Sequence, residues 1–362
     1  MILVSEGDSQ LKKIILDKSS AKLTGRTLVR DGILKLVMSA SGCEFNFTGK
    51  KLIISAGCDS DCLNDGKECN FPRMAVLING KIVVKKVIEK RCESFVICDS
   101  ETEVTLNVKI IKLSEAAFSV LEIRPAETDD YAIIEALPEK DLKIEFIGDS
   151  ITCGYGVDDA NIESEFATAA ENAMKSYAYL TAKSLDADYS MFSASGYGII
   201  SGYTKEGIRN LPERIPPFYD SYGFSYSTVD GELHPHDIAW DFESFKPHAV
   251  VINLGTNDSS FCKGSQEHCD EFEHAYCEFV LRVRSHYPDA HIICALGIME
   301  CVLVPQVRSA YEKLATADEK IHFFEFETQD GTLGYSSNWH PSEDTHAERA
   351  EKLAVFLRGI LK

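Results

Sequence analysis

No stretch of this 362-residue chain approaches the ~20 apolar residues needed to span a bilayer. Basic residues are in short supply: 37 Lys and Arg stand against 57 Asp and Glu, a net charge of −20. A surface this acidic repels phosphate backbones and anionic lipid, which argues against nucleic-acid and membrane partners. The first residues, Met-Ile-Leu-Val-Ser-Glu-Gly-Asp, lack the basic segment, long apolar core and small-residue cleavage site of a secretory leader. The expectation is therefore a cytoplasmic protein. Internal repeats and low-complexity segments are missing too.

Cysteine is not scarce. There are 12, and in a reducing compartment they are not expected to pair. Cys98 and Cys294 sit in apolar runs, where a thiol acts as a small hydrophobe. Cys58, Cys62 and Cys69 cluster, but their spacing fits no regular zinc pattern and no histidine lies near. Neither a metal nor a cofactor is expected. Hydrophobic residues make up 44% of the chain and charged residues 26%, an ordinary soluble balance. At roughly 100–200 residues per domain, two domains are the natural expectation.

The first third reads as β. Residues 75–84 place two β-branched runs around Asn79-Gly80, a hairpin signal because both turn positions want positive φ. Val104, Leu106, Val108 and Ile110 alternate with polar residues, as a half-buried strand does. Runs at 51–55 and 118–123 add strands. This spacing predicts an all-β sandwich of jelly-roll type over 1–126. A punctuated stretch around Pro125 and Pro138 predicts a linker over 127–141.

From 142 to 362 strands and helices alternate. Strands are predicted at 143–147, 188–193, 248–254, 291–296 and 321–326. Helices are predicted near 173–185, 268–286, 305–316 and 342–361. Such alternation is an α/β sandwich with a parallel sheet. Residues 199–246 show little periodicity but many aromatics, among them Tyr203, Phe218, Tyr219, Tyr222, Phe224, Tyr226, Trp240 and Phe242. A loop this long is usually functional, and its aromatic density argues against disorder.

Ser150 follows an apolar strand in Gly148-Asp149-Ser150-Ile151-Thr152. The segment is not the Gly-x-Ser-x-Gly elbow of an α/β-hydrolase. Two readings fit it: a helix N-cap, or a nucleophile at the carboxyl end of a parallel strand. A serine nucleophile needs a base, and His340, in Asn338-Trp339-His340-Pro341-Ser342 before the last helix, is the best-placed histidine. An acyl-transfer site also needs oxyanion donors. Asn257, in Gly-Thr-Asn-Asp at 255–258, offers a side-chain amide, and Ser195-Gly196 offers backbone N–H groups. All four segments stand at strand ends, and that coincidence favours catalysis over capping.

These segments resemble the blocks of the SGNH hydrolases, the GDSL esterase/lipase superfamily. More narrowly, Gly-Asp-Ser-Ile-Thr-Cys-Gly-Tyr-Gly at 148–156, Leu-Gly-Thr-Asn-Asp at 254–258 and Trp-His-Pro-Ser at 339–342 resemble carbohydrate esterase family 2. The resemblance implies a jelly roll followed by a three-layer, flavodoxin-like catalytic unit. It implies Ser150 as nucleophile, His340 as base, and the Ser150 N–H, Gly196 and Asn257 as the oxyanion hole. It implies removal of O-acetyl groups from xylan- or mannan-type sugars, with an acetylated oligosaccharide as the partner. The β unit then walls the cleft or extends its acceptor groove.

One position departs from the wider superfamily. Many members carry an aspartate three residues before the histidine, to hold its tautomer. Here that residue is Ser337, followed by Asn338, so the expectation is a Ser–His dyad, with Asp149 bracing the turn. Trp339 and Trp240 are candidate sugar platforms. Gly154-Tyr-Gly156 lacks the rest of a dinucleotide fingerprint. His234-Pro-His236-Asp237 falls short of a zinc ligand set. Alternatives within reach are a lipid or thioester acyl hydrolase, a metal-dependent deacetylase, and a carbohydrate-binding protein without activity.

Overall fold

Strand pairing among the described residues of the first third is antiparallel. The computed structural model describes residues 11–59 and 71–361, so Cys62 and Cys69 lie outside the described residues. Two long strands, Gly42–Cys58 and Glu93–Lys112, form the spine of an eleven-stranded sheet among the described residues. Their pairing shifts register between Gly49 and Lys51 and again between Leu52 and Ile53. Such bulges bend the sheet and increase its twist. Phe45, Phe47, Ile54, Val76, Val108 and Leu121 pack together in its core. Asn79 (φ 49°) and Gly80 (φ 77°) both take the left-handed conformation and turn Arg73–Ile78 into Lys81–Val87.

Part of the stretch expected as a linker belongs to this sheet. Ala126–Thr128 and Ile133–Ala136 both pair with Gly42–Cys58, so the β unit runs to residue 136. Asp129, between them, accepts the N–H groups of Lys50 and Lys51 at 2.9 and 2.8 Å and holds the bulge there. Strands of three or four residues are too short to show a period.

The second unit is a parallel five-stranded sheet. Numbered in chain order, Lys143–Gly148, Asp188–Ser193, Ala249–Asn253, His291–Leu296 and Ile321–Glu325 lie in the order 2-1-3-4-5. Ile144 and Phe146 face a core built with helices Tyr177–Ser184 and Glu343–Ile360, while Ile147 faces one built with Gln266–His286 and Val304–Ala315. Strands covered on both faces are continuously apolar, which is why they stood out in the sequence. The order reverses between the first and third strands. In open α/β sheets a ligand site forms at that crevice, outside the carboxyl ends. Ser150 follows the first strand and Asn257 the third.

The two units share a core. Val37, Met38, Ala116, Ala117 and Val120 of the β unit cluster with Ile147, Phe192, Tyr197, Tyr219 and Phe224. Arg26 is fully buried there and donates to the carbonyls of Tyr219 and Ser221, both at 2.5 Å.

Candidate active site

Asp149 caps the short helix Ser150–Cys153 by accepting the Ile151 N–H at 3.0 Å. That cap fixes the turn which lifts Ser150 off the strand. Burial above all, with Asp258 and Glu300 nearby, pushes the Asp149 carboxyl up to about 7. The Asn257 amide approaches its other oxygen at 3.5 Å, so the carboxyl faces the turn and the third-strand segment.

The Ser150 hydroxyl lies 2.9 Å from His340 Nε2. On the other side of the ring, Nδ1 lies 3.2 Å from the Asn338 carbonyl oxygen. A carbonyl only accepts, so Nδ1 carries the hydrogen and Nε2 offers its lone pair to the serine. The third-member role therefore falls to backbone. Ser337 is buried and donates instead to the Ser164 carbonyl at 3.1 Å.

The geometry that aims that carbonyl is strained. Asn338 and Trp339 stand consecutively at φ 51° and 61°. Asn tolerates the left-handed region, but a bulky side chain there is an outlier. Neighbours over-determine it: the Ser337 N–H bonds Asp159 O at 2.8 Å, the Asn338 N–H bonds Ile162 O at 3.1 Å, and Gln329 Nε2 bonds Trp339 O at 2.9 Å. The Tyr155 ring stacks on His340 with centroids 4.0 Å apart. Burial pushes the imidazole down to about 4, so it is neutral at ordinary pH.

Gly196 and Asn257 come to the same cavity as Ser150 and His340. Asn257 Nδ2 donates to the Tyr197 carbonyl at 2.8 Å, which ties the two segments together. Asp258, the last residue of Gly-Thr-Asn-Asp, is fully buried and accepts the N–H groups of Ile199, Ile200 and Ser201 at 2.7–3.1 Å. Gly196 itself takes φ 81°, a conformation that favours glycine.

The cavity holds about 600 Å³. Trp339, Tyr203 and Tyr226 present exposed rings to it. Its wall on the β side is Glu115, Ala117 and Phe118. Among the described lining residues there are three carboxyl groups, on Glu115, Glu213 and Glu300, and neither lysine nor arginine.

Trp240 is a correction. It does not line this cavity but packs on the shared core, its ring centroid 5.3 Å from the Arg26 guanidinium, and edges a separate groove. Aromatic rings attract a guanidinium held over their faces, and Trp240 joins Phe192, Tyr219 and Phe242 in covering Arg26. Phe218, Tyr219, Tyr222, Phe224 and Phe242 also serve the core. His234 and His236 stack at 5.0 Å, and Asp237 is engaged by the His234 N–H. Among the described residues no group of three or more His, Cys, Asp and Glu is placed to hold a metal ion.

Tyr155, Asp258, Glu115 and Phe118 were not singled out from sequence. Two of them had a signal, Asp258 in its place beside Asn257 and Tyr155 in its place within the 148–156 block. The others act through contacts that no local pattern encodes.

A profile of the GDSL-like lipase/acylhydrolase family matches residues 146–348. The chain is 30% identical over 333 residues to the cellulase/esterase CelE of Acetivibrio thermocellus, covering 90% of this chain and 38% of that protein. It thus spans well under half the length of this curated relative. A family two carbohydrate esterase from Clostridium thermocellum, solved in complex with cellohexaose, has a TM-score of 0.81 and 28% identity, with 94% of this chain and 99% of that one covered. An acetyl xylan esterase from the rumen bacterium Butyrivibrio proteoclasticus has a TM-score of 0.86 and 25% identity, with 98% and 99% covered. The profile match takes in more than half of the chain, including the segments that carry Ser150, Gly196, Asn257 and His340, and the chain belongs to the GDSL-like lipase/acylhydrolase family, with close similarity to carbohydrate esterase family 2.

Proposed function

We propose that this protein is a serine esterase that removes O-acetyl groups from xylan- or mannan-type oligosaccharides. The observation that carries the reading is the 2.9 Å contact between the Ser150 hydroxyl and a His340 imidazole whose far nitrogen is held by the Asn338 carbonyl. Ser150 Oγ attacks the acetyl carbonyl carbon while His340 Nε2 takes its proton. The tetrahedral oxyanion is received by the Ser150 and Gly196 N–H groups and the Asn257 amide. Collapse breaks the bond to the sugar oxygen, which leaves with the proton from His340. Water then attacks the acetyl-serine, giving its proton to His340; the second tetrahedral intermediate collapses by breaking the bond to Ser150 Oγ, which takes that proton back from His340 as acetate departs.

The surroundings favour an uncharged polyol ester. Carboxyl groups accept sugar hydroxyls, aromatic rings receive the apolar faces of sugars, and an anionic carrier thioester meets only repulsion. Trp339 is the platform we assign beside the base. The names of the relatives point the same way.

Hydrolysis of 4-nitrophenyl acetate and octanoate, with acetate release from acetylated xylo- and manno-oligosaccharides, tests the reading. The acetate ester is expected to be the better substrate and Ser150→Ala to abolish turnover. Preference for octanoate, or no acetate released from either oligosaccharide, overturns it.

A further inference from the structure

The Gly196 segment is gripped from both sides by buried carboxyl groups. Downstream, Asp258 takes the N–H groups of Ile199 to Ser201. Upstream, Glu115 takes the Ser195 N–H at 3.2 Å and also accepts the Ser195 hydroxyl. Asp258 belongs to the α/β unit, but Glu115 comes from the β unit, 80 residues before Ser195 in the chain. It is 1% exposed.

A carboxylate buried that deeply must be held, and it is. Glu171 accepts the Glu115 backbone N–H at 2.9 Å. The Lys112 ammonium donates to the Ser114 and Glu115 carbonyls. The Ala117 carbonyl accepts the Tyr226 N–H at 2.8 Å, and the Phe118 carbonyl accepts the Ser227 hydroxyl at 3.0 Å. Loop 113–118 is thereby fastened to the α/β unit on either side of the cavity wall. Burial, with the Glu115 charge beside it, holds the Glu171 carboxyl well above the usual range; burial raises the Glu115 carboxyl too, but there the hydrogen bonds from Ser195 oppose the rise and favour the charged form. Glu171 is the neutral member of the pair and Glu115 the anion that grips Ser195.

We propose that Glu115 is a positioning residue for the oxyanion hole: by fixing Ser195 through two hydrogen bonds it aims the neighbouring Gly196 N–H at the reacting carbonyl, so the β unit supplies part of the catalytic machinery. This rests on the esterase reading above. An oxyanion donor acts in the transition state more than in the ground state, so its misplacement lowers kcat and spares KM.

The test is steady-state kinetics on 4-nitrophenyl acetate for wild type, Glu115→Ala and Glu115→Gln, each with its melting temperature. Glu115→Ala is expected to lower kcat about 10- to 100-fold with KM within about twofold. Glu115→Gln keeps an oxygen that accepts both bonds and is expected to recover most of that loss. A Glu115→Ala kcat equal to wild type overturns the proposal, as does a glutamine variant no better than alanine at equal stability. Should Glu115→Ala not fold, Ser195→Ala removes the hydroxyl donor alone; a several-fold fall in kcat supports the proposal and an unchanged kcat overturns it. The two failures are distinct: a wild type that turns over no ester removes the esterase reading itself, whereas active wild type with a silent Glu115→Ala removes this inference only.

Discussion

At His340 the base is held by a peptide carbonyl rather than a carboxylate, and the physics of the two differ. A carboxylate raises the imidazole pKa by charge; a carbonyl dipole aims the ring and gives far less. Desolvation then wins, and the ring is pushed down to about 4. The sign of the consequence follows directly. The neutral ring is the active form, it dominates above its folded pKa, and it is lost only as pH falls through that value. A free-enzyme kcat/KM profile is expected to stay level through pH 6 and to halve near pH 4, well below the ordinary histidine value of about 6.5. A halving near 6.5 would show that another group controls the acid limb or that the site is wetter than its burial implies. The oxyanion that forms beside the ring provides the missing counter-charge during the reaction, and Tyr155 lies flat against the ring that becomes cationic. Two left-handed residues in a row, one of them Trp339, are the cost of aiming that carbonyl.

Elements of the catalytic unit were legible wherever a long buried run meets the end of the sheet. Asp188–Ser193 and His291–Leu296 coincide with their predicted spans because both faces are covered and the apolar run is unbroken. The Asn79-Gly80 turn was legible because positive φ at two positions leaves few residue choices. The short strands Lys12–Ile14, Lys22–Thr24 and Ala126–Thr128 carry no period at all, so part of a sheet read as linker. In loop 199–246 composition announced packing but not its direction, and Trp240 fell on the core side of it. The residue just before that loop carries a test of how tightly the oxyanion segment is built. A Cβ on Gly198 would stand 2.1 Å from the Ser201 carbonyl oxygen and 2.5 Å from Asp258 Oδ2. Gly198→Ala is therefore expected to dislodge the Asp258 grip and lower kcat by about tenfold or more, with the circular dichroism spectrum retained. Activity equal to wild type would mean that the Asp258 contacts do not hold the oxyanion donors.

Across the whole molecule the junction of the two units holds one fully buried guanidinium, Arg26. Arg26, from the β unit, lies 4.2 Å from the Phe192 ring centroid and 4.8 Å from that of Tyr219, and its Nη2 is 3.4 Å from Glu145 Oε1 on the first strand of the parallel sheet. Tyr219 donates its hydroxyl to the other Glu145 oxygen at 2.5 Å. Both charges are essentially dry. In such surroundings a pair adds little over a well-packed apolar substitute, but breaking one half strands the other. The two single changes are therefore expected to differ from the double one. Arg26→Met leaves Glu145 buried with only hydroxyl donors and is expected to cost about 3–5 kcal/mol. Glu145→Gln leaves the guanidinium with two carbonyls and its aromatic cover, and is expected to cost less. Arg26→Met combined with Glu145→Gln removes the orphaned charge and is expected to recover a sizeable part of the first loss, a coupling that urea unfolding of the four proteins measures. Additive losses would show that Arg26 works through its carbonyl and ring contacts alone. Because Val37, Met38 and Ala116 share a core with the sheet that carries Ser150, the same unfolding is expected to be a single transition, and separate transitions for the two units would contradict a common core.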